Sequence, residues 1–299
     1  MKILIIGSGG FIGSHLAGHY ASSGEHSITG CDTSPASQLA SYFQVDKFTF
    51  SYDELFRNND FDVCIYAGGN GSVPYSISNP DEDFQLNTFA LERILSSIRK
   101  ANSHCKFLHI SSAAVYGTPE KLPVKEDSAI HPLSPYGWNK FLAEGICRKY
   151  TSFYGIPTLS MRVFSVYGER LKKQLFWDIY QKYLSGKEIT LFGTGHESRD
   201  FIYISDFVRA TEVLIKKADF NGSAINVAGG TEISIRDAAM TFAEALDPEM
   251  KFVFNNITKS GDPVNWKADI SQLTKYGFES KISLREGLKN YAKWLRERE

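Results

Sequence analysis

Short apolar runs at 2–6, 27–31, 63–67, 106–111 and 158–163 alternate with longer stretches, at 13–22, 83–100 and 135–154, that read as helices. The short runs show no regular polar alternation, as expected of parallel strands buried on both faces, and the longer stretches suit helices crossing back over the sheet. This order predicts an α/β fold built on a doubly wound parallel sheet. Beyond residue 165 the alternation fades into a smaller mixed α/β region, with helices expected at 174–185, 206–218, 235–246 and 284–296. Ser234-x-x-Asp237 and Ser283-x-x-Glu286 place a capping hydroxyl and a carboxylate at the starts of the last two. No linker, repeat or low-complexity segment separates the halves. Residues 1–165 are therefore expected to form one domain, and 166–299 a substrate-binding region partly interleaved with it.

The turn after the first run, Gly7-Ser8-Gly9-Gly10-Phe11-Ile12-Gly13, gives that sheet a ligand. Glycines between a first strand and a first helix allow backbone to approach a pyrophosphate at the amide-rich helix start, which marks a Rossmann domain. Asp32 closes the second strand, where a carboxylate accepts hydrogen bonds from an adenosine ribose and repels a 2′-phosphate. The expected cofactor is NAD rather than NADP. A plain loop cap before Pro35 is the other use open to Asp32.

A second cluster supplies chemistry. Ser134 and Pro135 start a helix on which Tyr136 and Lys140, four residues apart, share a face. A phenol with an ordinary pKa of about 10 is a weak base at neutral pH, but an ammonium and a nicotinamide cation nearby would both favour its ionised form. Lys140 could also hold the nicotinamide ribose. The strand at 106–111 runs into Ser111-Ser112-Ala113-Ala114-Val115-Tyr116-Gly117, at the carboxyl edge where open sheets of this type place ligands. A serine there can hydrogen-bond a substrate oxygen, or merely end the strand.

Composition narrows the classes. With 299 residues, 42% hydrophobic, 22% charged and a net charge of −1, the chain is an ordinary globular one with no field to draw nucleic acid or an anionic membrane. The four cysteines, Cys31, Cys64, Cys105 and Cys147, lie far apart and read as buried thiols. The opening apolar run is too short for a signal peptide or a membrane span, so a cytoplasmic location is expected. Scattered histidines and the lack of a clustered Cys/His set predict no metal site.

Taken in order, Gly7-x-x-Gly10-x-x-Gly13, Ala67-Gly68-Gly69, the Ser111–Gly117 string, Tyr136-x-x-x-Lys140, Arg162-Val163-Phe164-Ser165-Val166-Tyr167-Gly168, Gly193-Thr194-Gly195 with Arg199-Asp200-Phe201-Ile202-Tyr203, and Asn226-Val227-Ala228-Gly229-Gly230 resemble the extended short-chain dehydrogenases/reductases. The resemblance is to the NAD-dependent epimerase/dehydratase family that includes UDP-glucose 4-epimerases, and it covers nearly the whole chain. It implies Ser112, Tyr136 and Lys140 as the catalytic trio. It also implies NAD contacts from Gly7, Gly10 and Gly13 of the glycine turn, Phe11, Ile12, Asp32, Ala67, Gly68, Gly69, Asn87, Tyr136, Lys140 and Phe164.

On the substrate side it implies contacts from Ser72, Ser112, Tyr136, Ser165, Arg199 and Lys259, with Arg199 pairing with the diphosphate of a nucleotide sugar unless it pairs locally with Asp200. Where dehydratases of the family carry an acidic pair, this chain has Ala113 and Ala114, which disfavours elimination. Ser165 stands where many epimerases have asparagine, and Lys259 near a usual arginine. A nucleotide-sugar 4-epimerase is expected first, a 4-keto sugar reductase second, and a non-catalytic NAD-binding regulator remotely. A homodimer is also implied; Phe89, Leu91, Ile94, Leu95 and Ile98 would suit its interface or the core equally.

Overall fold

In the computed structural model, described over residues 1–35, 39–57, 59–101, 104–257, 261 and 263–297, the chain forms twelve strands. These are β1 (Lys2–Ile6), β2 (Ser27–Asp32), β3 (Ser41–Gln44), β4 (Val63–Tyr66), β5 (Lys106–Ser112), β6 (Thr158–Val163), β7 (Ser165–Tyr167), β8 (Glu188–Leu191), β9 (Ser198–Tyr203), β10 (Asn221–Val227), β11 (Glu232–Ser234) and β12 (Lys251–Phe254). Seven of them form one sheet in the order β10-β6-β5-β4-β1-β2-β3, with every neighbouring pair parallel. The order reverses between β1 and β4, and sheets of this type bind ligands at the carboxyl edge of such a switch point. The doubly wound reading of the alternating runs is borne out.

Successive residues of β1 point to opposite faces, and both faces are covered. Ile3 and Ile5 join a core with Leu16 and Tyr20 of the Phe11–Ser22 helix and Phe207 and Leu214 of the Ile204–Lys217 helix. Leu4 and Ile6 face Leu91, Leu95 and Ile98 of the Ala90–Ala101 helix and Cys147 of the Pro135–Tyr154 helix. All four cysteines are free and buried. The remaining strands make a mixed β11-β9-β7 sheet, antiparallel between β11 and β9 and parallel between β9 and β7, and a parallel β12-β8 pair. Among the described residues no helix is long and apolar enough to cross a membrane, and no group of His, Cys, Asp or Glu is placed to hold a metal.

Local signals explain the helix that carries Tyr136. Ser134 accepts from the Gly137 amide (3.1 Å), Pro135 occupies the first turn, and Gly155 ends the helix at φ 69°. The stretch expected as one helix at 83–100 is instead three pieces: Pro80–Phe84, a π-helical turn Gln85–Phe89, and Ala90–Ala101. The extra residue per turn swings Asn87 inward, to full burial. Turns of this kind gather at functional sites.

Candidate active site

The glycine turn is shaped by contacts that a side chain would prevent. Gly7 has φ +87°, and a Cβ on it would lie 2.5 Å from the Gly68 amide nitrogen. A Cβ on Gly13 would lie 2.0 Å from the Gly7 carbonyl oxygen. The loops after β1 and β4 thus touch backbone to backbone, and the Phe11–Ser22 helix begins directly above them. The Gly7 amide donates to the Cys31 carbonyl (2.7 Å), fastening the turn to β2. At the end of β2, Asp32 accepts from the Gly9 amide (2.8 Å) and the Ser34 amide (3.1 Å), which sets its carboxylate at the rim of the turn. Phe11 and Ile12 are half-buried at the helix start.

Across the crevice, Gly69 (φ +96°) leaves room for Asn87, whose Oδ1 would be 2.5 Å from a Cβ at that position. Asn87 Nδ2 donates to Asp83 (2.9 Å), while its buried Oδ1 has no hydrogen-bond partner among the described residues. A buried acceptor left open costs free energy unless a ligand fills it. Together, the glycine cradle, the acceptor at Asn87 and the carboxylate at the end of β2 fit NAD.

The trio converges next to this cradle. Tyr136 and Lys140 rise from one face of their helix, with Lys140 Nζ 5.8 Å from the Tyr136 ring centre. Ser112, at the end of β5, is near enough to Tyr136 to pull its phenol down, and its Oγ accepts from the Ala114 amide (3.1 Å). The neighbouring Ser111 turns the other way and donates to the buried Glu144 (2.7 Å). The structure therefore distinguishes the two serines: Ser112 meets the tyrosine, and Ser111 belongs to the framework.

Close approach of the tyrosine helix to the serine turn depends on Gly137, where a Cβ would stand 2.6 Å from the Ala114 carbonyl oxygen. A glycine inside a helix costs roughly 1 kcal/mol relative to alanine, so its position beside Tyr136 was a signal for a close contact.

The electrostatics differ in part from those expected. Burial pushes the Tyr136 phenol up to about 12, the Ser112 hydrogen bond pulls it down, and the Asp83 charge adds to the rise. Lys140, nearly inaccessible, donates to the Ile110 carbonyl (2.9 Å). Burial lowers its ammonium to about 8; Asp83 and Glu144 oppose this, and Lys173 reinforces it. Burial thus dominates both groups. Lys173 is a cleft residue that the motifs did not mark. It precedes the Gln174–Tyr183 helix, its Nζ stands 2.9 Å from where a Gly71 Cβ would be, and desolvation of the ammonium holds it below its ordinary value although the residue as a whole is exposed.

The remaining expected residues are spread around the cleft. Phe164 is buried between Tyr116 and Trp266, with ring centres 6.3 and 5.6 Å away. Ser165 opens β7, half-buried. Arg199 on β9 donates to the Ser198 and Val264 carbonyls (2.8 and 3.1 Å) with its guanidinium 5.6 Å from the Trp266 ring centre. Asp200, on the opposite face of β9 and fully buried, accepts from the Gly230 and Ala268 amides (both 3.0 Å). Ser72 caps the Val73–Ser78 helix, accepting from the Tyr75 amide (3.3 Å). Lys259 lies outside the described residues.

A family model described as NAD dependent epimerase/dehydratase family matches residues 3–228. A curated protein of Bacillus subtilis strain 168, an uncharacterized UDP-glucose epimerase named YtcB, is 30% identical across 99% of this chain and 98% of its own. Among solved structures, the Bacillus cereus UDP-glucuronic acid 4-epimerase in complex with UDP-glucuronic acid and NAD is similar at a TM-score of 0.89 and 27% identity, covering 100% of both chains. The Thermotoga maritima UDP-glucose 4-epimerase with UDP-glucose is similar at a TM-score of 0.92 and 25% identity, covering 100% of this chain and 99% of the other.

Proposed function

Since the chain belongs to the NAD-dependent epimerase/dehydratase family, we propose that it is a UDP-sugar 4-epimerase, inverting the sugar through a transient 4-keto form. The observation that carries this reading is the convergence of Ser112, Tyr136 and Lys140 beside the NAD cradle, with Ala113 and Ala114 at the positions an elimination would fill with acids. NAD, when bound, supplies the reversible hydride acceptor that oxidation and re-reduction of a carbinol require. Tyr136 Oη takes the proton of the C4 hydroxyl and returns it when the ketone is reduced from the other face. Ser112 Oγ hydrogen-bonds the same sugar oxygen as its charge changes. Lys140 holds its ammonium beneath the tyrosine, favouring the phenolate, and would bind the nicotinamide ribose.

Arg199, with Ser165 and Ser72, would bind the diphosphate and sugar. The substrates of the Bacillus cereus and Thermotoga maritima enzymes support the uridine nucleotide. A homodimer in the cytoplasm completes the proposal. Leu91, Ile94, Leu95 and Ile98 are fully buried in the core, whereas Phe89 (49% exposed), Trp138 (50%) and Leu142 (44%) remain open on the helix pair and support a contact there.

The test is a panel of UDP-glucose, UDP-glucuronic acid and UDP-N-acetylglucosamine incubated with purified protein, with and without added NADH or NADPH. Conversion to the 4-epimer without net consumption of reduced cofactor is expected. Stoichiometric oxidation of NAD(P)H by a 4-keto sugar would instead establish a reductase. Asp32→Ala is expected to weaken NAD binding roughly tenfold to a hundredfold, the worth of charge-assisted hydrogen bonds, and to erase most of the preference over NADP. Unchanged discrimination in a titration of both cofactors would remove Asp32 from that role.

A further inference from the structure

Beneath the site lies a carboxylate that no motif marked. Asp83 is fully buried and accepts hydrogen bonds from the side-chain amides of Asn70 (2.6 Å), Asn87 (2.9 Å) and Asn139 (2.7 Å). These three come from the loop after β4, the π-helical turn and the tyrosine helix, so one side chain joins three of the elements around the trio. We propose that Asp83 is a positioning residue of the reaction, setting the hydrogen-bonding sense of the cofactor cleft through three carboxamides and serving as the countercharge to Lys140.

An ionised carboxylate only accepts, so each carboxamide must turn its NH2 towards Asp83 and its oxygen away. Asn70 Oδ1 then accepts from the Ser72 amide (2.9 Å) and fixes the loop that leads to it. Asn87 Oδ1 is left beside Gly69 as the unfilled acceptor, suited to a hydroxyl or amide N–H of a ligand. Asn139 immediately precedes Lys140. Its side chain is tied to Asp83, and its carbonyl accepts from Thr88 Oγ1 (3.0 Å), which fixes the helix where the lysine leaves it. A neutral side chain at position 83 would let any of the three amides reverse.

The charge has a second consequence, because a buried carboxylate served only by neutral donors needs a cation in the same low-dielectric region. The charged and titratable groups that act on Lys140 are Asp83, Glu144 and Lys173, with His109 behind it on β5. Glu144 is committed to Arg162 (2.7 Å), burial keeps His109 neutral, and Lys173 repels. Of the two carboxylates that favour the Lys140 ammonium, Asp83 acts more strongly than Glu144, and the same charge raises the Tyr136 phenol.

This inference rests on Tyr136 and Lys140 being the reacting pair, and Asp83→Asn tests it in the NAD-loaded protein. The readouts are NAD affinity and the pH of two steps: the tyrosinate absorbance step that Tyr136→Phe abolishes, and the alkaline loss of NAD binding that Lys140→Ala abolishes. Asp83→Asn is expected to weaken NAD binding at least tenfold and to move both steps down by about one pH unit, because removing a negative charge eases both ionisations. A folded variant with a lowered melting temperature but both steps unmoved would reduce Asp83 to a structural residue and overturn the proposal. If Asp83→Asn does not fold, Asp83→Glu takes its place: the retained charge must leave both steps in position while NAD affinity falls, and steps that move would overturn the proposal. If Tyr136→Phe removes no absorbance step, the failure lies with the functional reading instead.

Discussion

Tyr136→Phe is expected to lower kcat by about 10²- to 10⁴-fold, the range that positioned proton transfer contributes, while the protein stays folded and binds NAD. The phenol faces Ser112 at the half-buried cleft surface, so losing the hydroxyl takes nothing from the core. Phenylalanine keeps the ring against which Lys140 stands. The effect should therefore appear in turnover and leave KM for the UDP-sugar close to that of the parent. The pH profile of kcat/KM reports the free enzyme's groups, and its alkaline limb should follow loss of the Lys140 proton at about 8. Burial has lowered that value, so activity that needs the ammonium is present below this pH and is lost above it. Turnover within tenfold of the parent, measured as epimer formed per protomer, would show that another group moves the proton.

The largest effect on stability is expected from Glu144→Ala. Glu144 and Arg162 are 1% and 3% exposed, and the guanidinium grips the carboxylate through Nε (3.0 Å) and Nη2 (2.7 Å). Arg162 also donates to Tyr116 Oη and the Glu126 carbonyl (both 2.8 Å), and Tyr116 donates in turn to Asn226 (2.7 Å). The network runs from the tyrosine helix through β6 to β10, under the serine turn. Removing one partner strands a buried cation and leaves Ser111 without its acceptor, at a cost of about 3–5 kcal/mol. For a chain of this size that corresponds to a fall in melting temperature of roughly 5–8 °C. Calorimetry checks it: a shift under about 2 °C would mean that water or a neighbouring carboxylate takes over the arginine.

Much of this architecture was legible in the sequence because its signals are local. Buried parallel strands are unbroken apolar runs, so the bounds of β1 and β6 coincide with the expected 2–6 and 158–163. The 135–154 helix is bracketed by Ser134, Pro135 and Gly155. By contrast, β3 is a four-residue edge strand with polar ends, and β10 opens on Asn221-Gly222-Ser223, so neither shows an apolar run at its start. The π-helical turn leaves too small a trace in a hydrophobic period to be seen.

The site divides in the same way. Gly7, Tyr136 and Lys140 carry motifs because neighbouring residues enforce their geometry. Asp83 has a partner 56 residues away in Asn139, and an aspartate in the first turn of a polar helix reads as a solvent-facing charge. Lys173 likewise acquires meaning only when folding brings it to Gly71.

The four buried thiols make the fold self-reporting. Cys31 supplies the carbonyl that holds the glycine turn, Cys64 lies in β4, Cys105 precedes β5 and Cys147 belongs to the tyrosine helix. Burial pushes the Cys31, Cys105 and Cys147 thiols up to about 12 and Cys64 well above its ordinary value, so none is an exposed thiolate at neutral pH. An alkylating reagent can reach these sulfurs only through opening events. Its rate at each one measures how often that part of the molecule breathes, and comparing the rates with and without cofactor would map which fluctuations NAD quenches, with no label added to the protein.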